Sequence, residues 1–380
     1  MSATDEEMIA EMARRFSEAE LLPGAAGRDR TSTFPAAELR KLAGIGLMGV
    51  TIPEEWGGAG ASYSALTMAV EAISRYDASV GVVMSTHNSL VCMPISEHGT
   101  EAQKERFLRP LVRGEAIGAV AITESHSGSN AADIRTRAER RADRYVINGS
   151  KQFITAGGYA DIIILLANTN PEAGGRGITT FILPTSTPGF SVGRVEDKLG
   201  IRSSGTAYLI LDNVELGDEH VLGKPGQGYR IILAALGRSR LGIAAQAVGI
   251  AQAALDAARN YAMERESFDK PIIEHQAVSF RLASMATEIE AARRLTYHAA
   301  TLCDAGRPFQ KESSMAKLFA AEMVERVCSQ ALQTFGGYGY LTDYPLERLY
   351  RDARVCQIYE GTSDVQRMII GRMLAQESAG

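Results

Sequence analysis

Arg144-Tyr-Val-Ile-Asn-Gly-Ser-Lys-Gln-Phe-Ile154 is the stretch that decides how this chain is read. Two runs rich in β-branched and aromatic residues flank Asn148-Gly149. Asn-Gly in that setting is the strongest short hairpin signal, because both residues tolerate the positive φ of a tight turn. The expectation is a strand, a turn at Asn148-Gly149 and a second strand. Downstream, Asp161-Ile-Ile-Ile-Leu-Leu-Ala167 and Ile178-Thr-Thr-Phe-Ile-Leu183 are short apolar runs with Gly or Pro close by, which read as buried strands. Thr206-Ala-Tyr-Leu-Ile-Leu-Asp212 alternates as another, and Ala119-Val-Ala-Ile122 reads as a strand upstream. Residues 116–224 therefore form a β-domain.

Both flanks are helical. In residues 1–115, Pro35 to Ala43 carries apolar residues at helical spacing and stops at Gly44, Tyr63 to Ser74 is similar, and Glu101 to Leu111 follows Thr100 as a cap. Gly223-Lys-Pro-Gly-Gln-Gly-Tyr229 is a linker by composition. In residues 225–380, Leu241 to Glu264 is Ala-rich with apolar residues on more than one face, as in a helix buried between partners. Ala277 to Leu302, Glu312 to Phe335 and Ser363 to Ala375 add three more helices, and four of this length suggest a bundle. The chain thus reads as α+β and multi-domain, divided at 1–115, 116–224 and 225–380.

A chain of 380 residues, 45% hydrophobic and 22% charged, is expected to fold as two or three soluble globular modules. A net charge of −5 lacks the basic excess of a nucleic-acid binder. No window is read as reaching the roughly 18 apolar residues that span a bilayer, so membrane insertion is not expected. Met1 to Met8 is acidic and has neither a secretory apolar region nor an Arg-rich transit pattern. Cys92, Cys303, Cys328 and Cys356 lie far apart with no Cys-x-x-Cys pair, so neither disulfides nor a metal site is expected, and a cytoplasmic location fits.

Four motifs carry chemistry. In Ile358-Tyr-Glu-Gly-Thr-Ser-Asp364, a Glu dried against Tyr359 would have a raised pKa and could accept a proton near neutral pH. The same residues also suit an ordinary helix start, with Thr362 or Ser363 as N-cap. Thr123-Glu-Ser-His-Ser-Gly-Ser-Asn130 offers hydroxyls and backbone N–H groups to a polar or anionic ligand, or is a surface turn, with His126 a solvated loop residue. Gln333-Thr-Phe-Gly-Gly-Tyr-Gly-Tyr340 ends a helix with more glycine than a cap needs, which suggests close approach to a ligand or another subunit. Arg265 to Gln276 leaves a helix with an Arg, an aromatic and an amide, suited to a phosphate, a ring face and an amide contact.

Taken in order, these pieces resemble the acyl-CoA dehydrogenases over nearly the whole chain. Thr123-Glu124 with Gly128-Ser129-Asn130 looks like the first family signature, and Asn148 to Thr155 like the strand that lies against the flavin. Lys198-Leu-Gly-Ile-Arg-Ser-Ser-Gly-Thr206 is similar to the next β segment. Arg265 with Phe268 and Gln276 resembles a cofactor contact made across a subunit interface. Gln333 through Asp352, including Asp343 and Arg348, matches the second signature.

The resemblance implies a middle domain that is barrel-like or made of orthogonal sheets, FAD as cofactor, and α,β-dehydrogenation of an acyl-CoA thioester. Glu360 would be the catalytic base that removes the α-proton while the β-hydrogen leaves as hydride. FAD contacts would come from Ile122, Thr123, Ser129, Phe153, Ile154 and Thr155, with Thr362 and Asp364 beside the base. Arg265, Phe268, Gln276, Gln333, Gly336 and Gly337 would reach the cofactor from a neighbouring subunit, implying at least a dimer and by family habit a homotetramer. Ser129, Arg240, Tyr359 and Gly361 would hold the thioester and its carrier arm. Electron-transfer flavoprotein would be the electron acceptor.

Some relatives take their base from the position before Arg240; here it is Ser239, which cannot serve, so the base falls to Glu360. Phe153 stands where many members have Trp, Asn130 replaces an Asp, and Ser125-His126-Ser127 replaces a Pro-Gly turn. Gly237-Arg238 lies where short-chain members often carry an acid near the CoA adenine, which leaves a carrier-protein thioester open; Arg238 could meet a CoA phosphate or be solvated. Met84-Ser-Thr-His-Asn-Ser-Leu90 resembles the pocket helix of short-chain members, favouring a short or small branched acyl group. The rival functions are an oxygen-using oxidase, a flavin monooxygenase on the same fold, and a non-catalytic scaffold subunit.

Overall fold

The computed structural model describes residues 3–377. Met1 and Ser2, part of the acidic start, lie outside the described residues. The N-terminal segment holds α1 (Ala3–Phe16), α2 (Leu22–Thr31), α3 (Ala36–Gly44), α4 (Tyr63–Ser74), α5 (Ala78–Thr86), α6 (Met93–His98), α7 (Glu101–Gln103) and α8 (Arg109–Val112). Side chains start these helices as capping chemistry requires: Ser62 Oγ accepts the Ala65 N–H, Asp77 accepts the Ser79 and Val80 N–H groups, and Thr100 with Gln103 closes a reciprocal box. Wider π-turns join α1 to α2, α5 to α6 and α7 to α8.

The middle segment is an eight-stranded mixed sheet of β1 (Gly118–Ala121), β2 (Arg137–Arg141), β3 (Arg144–Ile154), β4 (Ile162–Asn168), β5 (Ile178–Pro184), β6 (Phe190–Val195), β7 (Ala207–Gly217) and β8 (Val221–Leu222). Its order is β6-β7-β3-β2-β4-β5-β8, with β1 parallel to β4. A single residue pair, Arg137 with Asn168, joins β2 to β4, so the sheet is two half-sheets hinged at one point. Ala138, Tyr145, Ile147, Leu209 and Leu211 from one half share a core with Ile163, Leu165, Phe181 and Leu183 from the other. That arrangement agrees with the barrel-like, orthogonally packed domain expected. The alternate residues Ile162 and Ile164 of β4 pack with Phe107, Leu108 and Leu111 of the N-terminal segment, so β4 is buried on both faces.

The hairpin expectation at Asn148-Gly149 is wrong. Residues 144–154 are one continuous strand, and the turn sits earlier, at Ala142-Asp143, where Ala142 takes φ 54° and Arg141 pairs with Arg144. Asn148-Gly149 instead forms a bulge, where the β3–β7 register slips between Ile147 and Gly149. Asn148 Oδ1 accepts the Asn213 N–H at 2.8 Å and its amide donates to Asn213 Oδ1 at 3.2 Å. A Cβ at Gly149 would lie 2.8 Å from Thr136 Cα, so the glycine answers to a crowded neighbouring strand and not to a turn.

The C-terminal segment holds α9 (Gly228–Glu264), a β9–β10 pair (Glu266–Ser267, Lys270–Pro271), α10 (Gln276–Asp304), α11 (Gln310–Phe335), α12 (Leu346–Ala353) and α13 (Ser363–Glu377). α9 begins earlier than the sequence pattern indicated and runs 37 residues. Contrary to the reading that no window is apolar enough, α9 could cross a membrane by length and composition. Its apolar surface is instead covered by α4, α5, α10 and α11. Gly242 and Gly249 make the approach close: a Cβ at Gly242 would meet Ser85 Oγ at 2.0 Å, and one at Gly249 would meet Glu71 O at 2.4 Å. Leu39, Leu66 and Val80 of the N-terminal helices and Leu241, Ile289 and Val324 of the bundle thereby belong to one core.

Candidate active site

Glu360 sits between α12 and α13, in a turn no ordinary helix start would use. Its φ is 51° and that of Gly361 is 91°, two successive left-handed residues of which only the second is a glycine. The turn is held from both sides. Lys317 of α11, fully buried, donates from Nζ to the Gly361 carbonyl at 2.7 Å, and Gln366 Nε2 donates to the same oxygen at 2.9 Å. On the other side, Tyr359 Oη donates to Gln246 Oε1, and Gln246 Nε2 donates to the Ala78 carbonyl at 2.8 Å. Thr362 keeps a capping role, accepting the Val365 N–H at 3.3 Å.

The Glu360 carboxylate is asymmetric. Oε2 accepts a hydrogen bond from Ser239 Oγ of α9, whereas Oε1 is buried with no partner among the described residues. Burial pushes the carboxyl up to about 7; the Ser239 hydrogen bond and the Lys317 and Arg240 charges work against that rise. Arg240 is buried, and its Nε has no hydrogen-bond partner among the described residues. Ser314 Oγ, one helical turn before Lys317, and Ser363 Oγ and Gln366 Oε1 at the start of α13 are unpartnered too. Nothing described accepts the Glu360 N–H either. Unpaired buried polar groups are costly and uncommon, so their concentration around one carboxylate marks a place built to receive a polar ligand.

A second group lies where β1 and β3 meet. Gln152 N–H donates to Thr123 O at 2.9 Å, and Lys151 Nζ donates to Ile122 O at 3.0 Å. Ile122 and Thr123 are thereby brought beside Phe153, Ile154 and Thr155. Phe153 has φ 59° and is 64% exposed, an aromatic ring held out to solvent on strained backbone. Ile154 is buried; Ile122, Thr123 and Thr155 are half-buried. This open aromatic ledge beside backbone and hydroxyl groups fits the planar ring system expected of FAD.

Glu124, within the first signature, anchors the loop. It is buried and accepts Lys151 Nζ at 2.8 Å and the Arg135 and Thr136 N–H groups at 2.8 and 3.0 Å. Burial works against its charge, but Lys151 holds the carboxyl below its ordinary range. Ser129 and Asn130 project into solvent. His126 is not freely solvated: its Nε2 lies 3.1 Å from the Asp133 carbonyl and ties the loop across.

The third group stands apart. Arg265, Phe268, Gln276, Gln333, Gly336 and Gly337 are all exposed, Phe268 at 88%. Stacking of Tyr261 on Phe335, with centroids 4.1 Å apart, a tilted contact of Tyr261 with Tyr338 and an edge contact of Phe335 with Tyr344 join the ends of α9 and α11 that carry them. A Cβ at Gly336 or Gly337 would meet nothing within 4 Å. About 38 Å of α9 separates Ser239, which touches Glu360, from the helix end at Glu264. The structure therefore brings Glu360, Tyr359, Gly361 and Arg240 together, with Thr362 in the same turn, and leaves this third group at the opposite end of α9. Asp364 is exposed at the start of α13.

Some participants were not singled out from sequence. Ser239 enters the sequence pattern only as a residue unable to act as base, and Lys317, Gln246 and Gln366 stand outside every motif. The available signal was polar residues inside apolar helical runs: Ser239, Arg240 and Gln246 in an Ala-rich helix, and Lys317 between Ala316 and Leu318. Arg238 is ion-paired and not simply solvated: one guanidinium nitrogen meets Glu97 at 2.7 Å. In the stretch Met84 to Leu90 the polar side chains serve backbone. Asn88 bonds Val50 N, Leu47 O and Met84 O, and His87 accepts the Gly118 N–H while burial pushes it down to about 4.

Family models described as acyl-CoA dehydrogenase N-terminal, middle and C-terminal domains match residues 3–115, 119–214 and 226–375. An acyl-CoA dehydrogenase of Bacillus subtilis (strain 168) is 48% identical over 375 residues, covering 98% of this chain and 99% of its own. The human mitochondrial short-chain specific acyl-CoA dehydrogenase is 45% identical over 364 residues, 96% of this chain and 88% of the relative. Butyryl-CoA dehydrogenase from Megasphaera elsdenii superposes with a TM-score of 0.96 at 42% identity, covering 99% of each chain. The chain belongs to the acyl-CoA dehydrogenase family of FAD-dependent oxidoreductases.

Proposed function

We propose that the chain dehydrogenates a short or small branched acyl-CoA between Cα and Cβ, with Glu360 as the base, and that electrons pass on to electron-transfer flavoprotein. The observation that carries this reading is the Glu360 carboxylate, raised to about 7 with one oxygen tied down and the other bare. A thioester α-proton is far too weakly acidic for a free carboxylate. Burial makes Glu360 a stronger base, and donors aimed at the carbonyl oxygen make the substrate a stronger acid. The unengaged Glu360 N–H is the chain's own donor to that oxygen. As the α C–H bond breaks, its proton goes to Glu360 and its electron pair forms the Cα–Cβ double bond. When bound, FAD supplies the acceptor for the β-hydrogen, which leaves as hydride.

Ile122, Thr123, Ser129, Phe153, Ile154, Thr155, Thr362 and Asp364 would hold the cofactor in one subunit. Arg265, Phe268, Gln276, Gln333, Gly336 and Gly337 would reach it from a second copy, because α9 carries them too far from Glu360 in their own. Phe268, Tyr340 and Phe280, three large apolar side chains left exposed, support that apposition. The assembly is then at least a dimer, by family habit a tetramer, with 1–115, 116–224 and 225–380 as its working domains. Tyr359, Gly361, Arg240 and Ser129 would line the thioester site. The names carried by relatives, short-chain specific and butyryl-CoA, support a short acyl group. Anaerobic titration of the purified flavoprotein with acyl-CoAs of graded length tests the reading. Bleaching of the flavin absorbance by C4–C5 thioesters supports it, and a flavin that stays oxidised with every one contradicts it.

A further inference from the structure

Thr hydroxyls within the described helices of this protein bond back to the carbonyl one turn earlier, and a few Ser hydroxyls do the same. Thr67 does so to Tyr63, Thr86 to Val82, Ser89 to Ser85, Thr296 to Ala292 and Thr334 to Gln330. Ser239 is different. It is fully buried inside α9, where the Ala235 carbonyl is available in the same way, yet its hydroxyl donates to Glu360 Oε2 across 121 residues of sequence.

The backbone around Glu360 leaves this hydroxyl a specific task. Lys317 and Gln366 fix the Gly361 carbonyl, and the Tyr359–Gln246–Ala78 chain fixes the residue before. What remains free is rotation of the carboxylate, which would exchange its two oxygens. A donor on one oxygen removes that freedom.

Resting on the reading of Glu360 as the base, we propose that Ser239 is a positioning residue whose hydroxyl holds Oε2 and so makes Oε1 the atom that takes the substrate α-proton. The bond can persist through the step. The C–H bond breaks, the proton forms an O–H bond at Oε1, and Oε2 becomes the carbonyl oxygen of the neutral acid, still able to accept from Ser239. Because a carboxylate accepts more strongly than a neutral acid, the hydroxyl also favours the charged form. This matches the direction in which Ser239 acts on the Glu360 pKa, against the larger effect of burial. The other groups that bear on Glu360 are Lys317 from α11, Arg240 from α9, Tyr359 beside it and Tyr63 from α4. Replacing Ser239 alters none of them.

The test is the pH profile of butyryl-CoA dehydrogenation by the FAD-loaded enzyme as Ser239→Ala and Ser239→Thr, with Glu360→Gln alongside and the flavin spectrum reporting an assembled site. Ser239→Ala is expected to move the acid limb of kcat to higher pH and to lower kcat at pH 7 by about tenfold, with KM within about twofold. Ser239→Thr is expected to restore the profile. An unshifted limb in Ser239→Ala, or a uniform loss that Thr does not rescue, overturns the proposal while an inactive Glu360→Gln keeps the base assignment standing. An active Glu360→Gln removes the base assignment itself.

Discussion

Lys317 shows how much of the base's behaviour is set by residues that never meet the substrate. Its ammonium is fully buried, and desolvation pushes it down to about 8. At pH 7 it therefore carries charge, which holds Glu360 lower than burial alone would. Lys317→Met removes that charge while Gln366 still serves the Gly361 carbonyl. The Glu360 pKa should rise, so the rate at pH 7 should fall by roughly tenfold and recover at higher pH. A stopped-flow pH series of flavin bleaching checks this, and a profile unchanged from wild type rejects it. The identity of the base was legible in sequence because a glutamate beside Tyr359 and before Gly361 is local. Its partners were not, because Ser239 and Lys317 lie 121 and 43 residues away and are paired only by packing.

At the level of elements, β3 and the turn that carries the base are joined through one short segment. Ala156 N–H, two residues past β3, donates to Ser204 O at 2.9 Å, and residues 202–204 pack against α5. Ile201, at φ 41°, donates its N–H to Asp352 Oδ1 at 2.5 Å, at the end of α12 and eight residues before Glu360. A Cβ at Gly200 would lie 2.2 Å from the Arg351 carbonyl, so α12 presses directly on this segment. Burial pushes the Asp352 carboxyl up to about 7 against the Ile201 hydrogen bond and the Arg348 charge. The fold thus prefers the neutral acid. Its contribution is present below the ordinary carboxylate range and is lost as pH rises through about 7. Asp352→Asn stays neutral and keeps an acceptor for Ile201. Between pH 5 and pH 8 the variant should lose less stability than wild type, by on the order of a few kcal/mol in thermal or urea unfolding. Some slope should remain, because Glu360 titrates with the same sign. Equal slopes in the two proteins would contradict this role.

For the molecule as a whole, the succession of helices, sheet and helices could be read from hydrophobic period alone, and the three family matches agree with it. What could not be read was how the parts share interiors. Nothing local reveals that α4 and α5 pack on α9 to make one core, or that β4 faces two cores. Asn148-Gly149 misled for a related reason: the same dipeptide suits a turn or a bulge, and the choice rests with Thr136 and Asn213, which are not its neighbours in sequence. The exposed group around Phe268 extends the same lesson beyond one chain on the proposed interface, since Phe268 stays 88% exposed at the far end of α9 even with the His275 ring edge-on to it. Phe268→Asp should lower assembly mass and FAD retention together, the latter by roughly tenfold, as read by sedimentation and flavin content. Loss of neither would remove the interface reading.

Whether Glu360 is the group that removes the α-proton is decided by single-turnover mixing with butyryl-CoA under anaerobic conditions. The wild-type flavin should bleach at a rate that climbs with pH through about 7, the region to which burial raises the Glu360 carboxyl. Glu360→Gln, with FAD bound and thioester affinity retained, should stay oxidised. Bleaching of that variant at the wild-type rate would contradict the account.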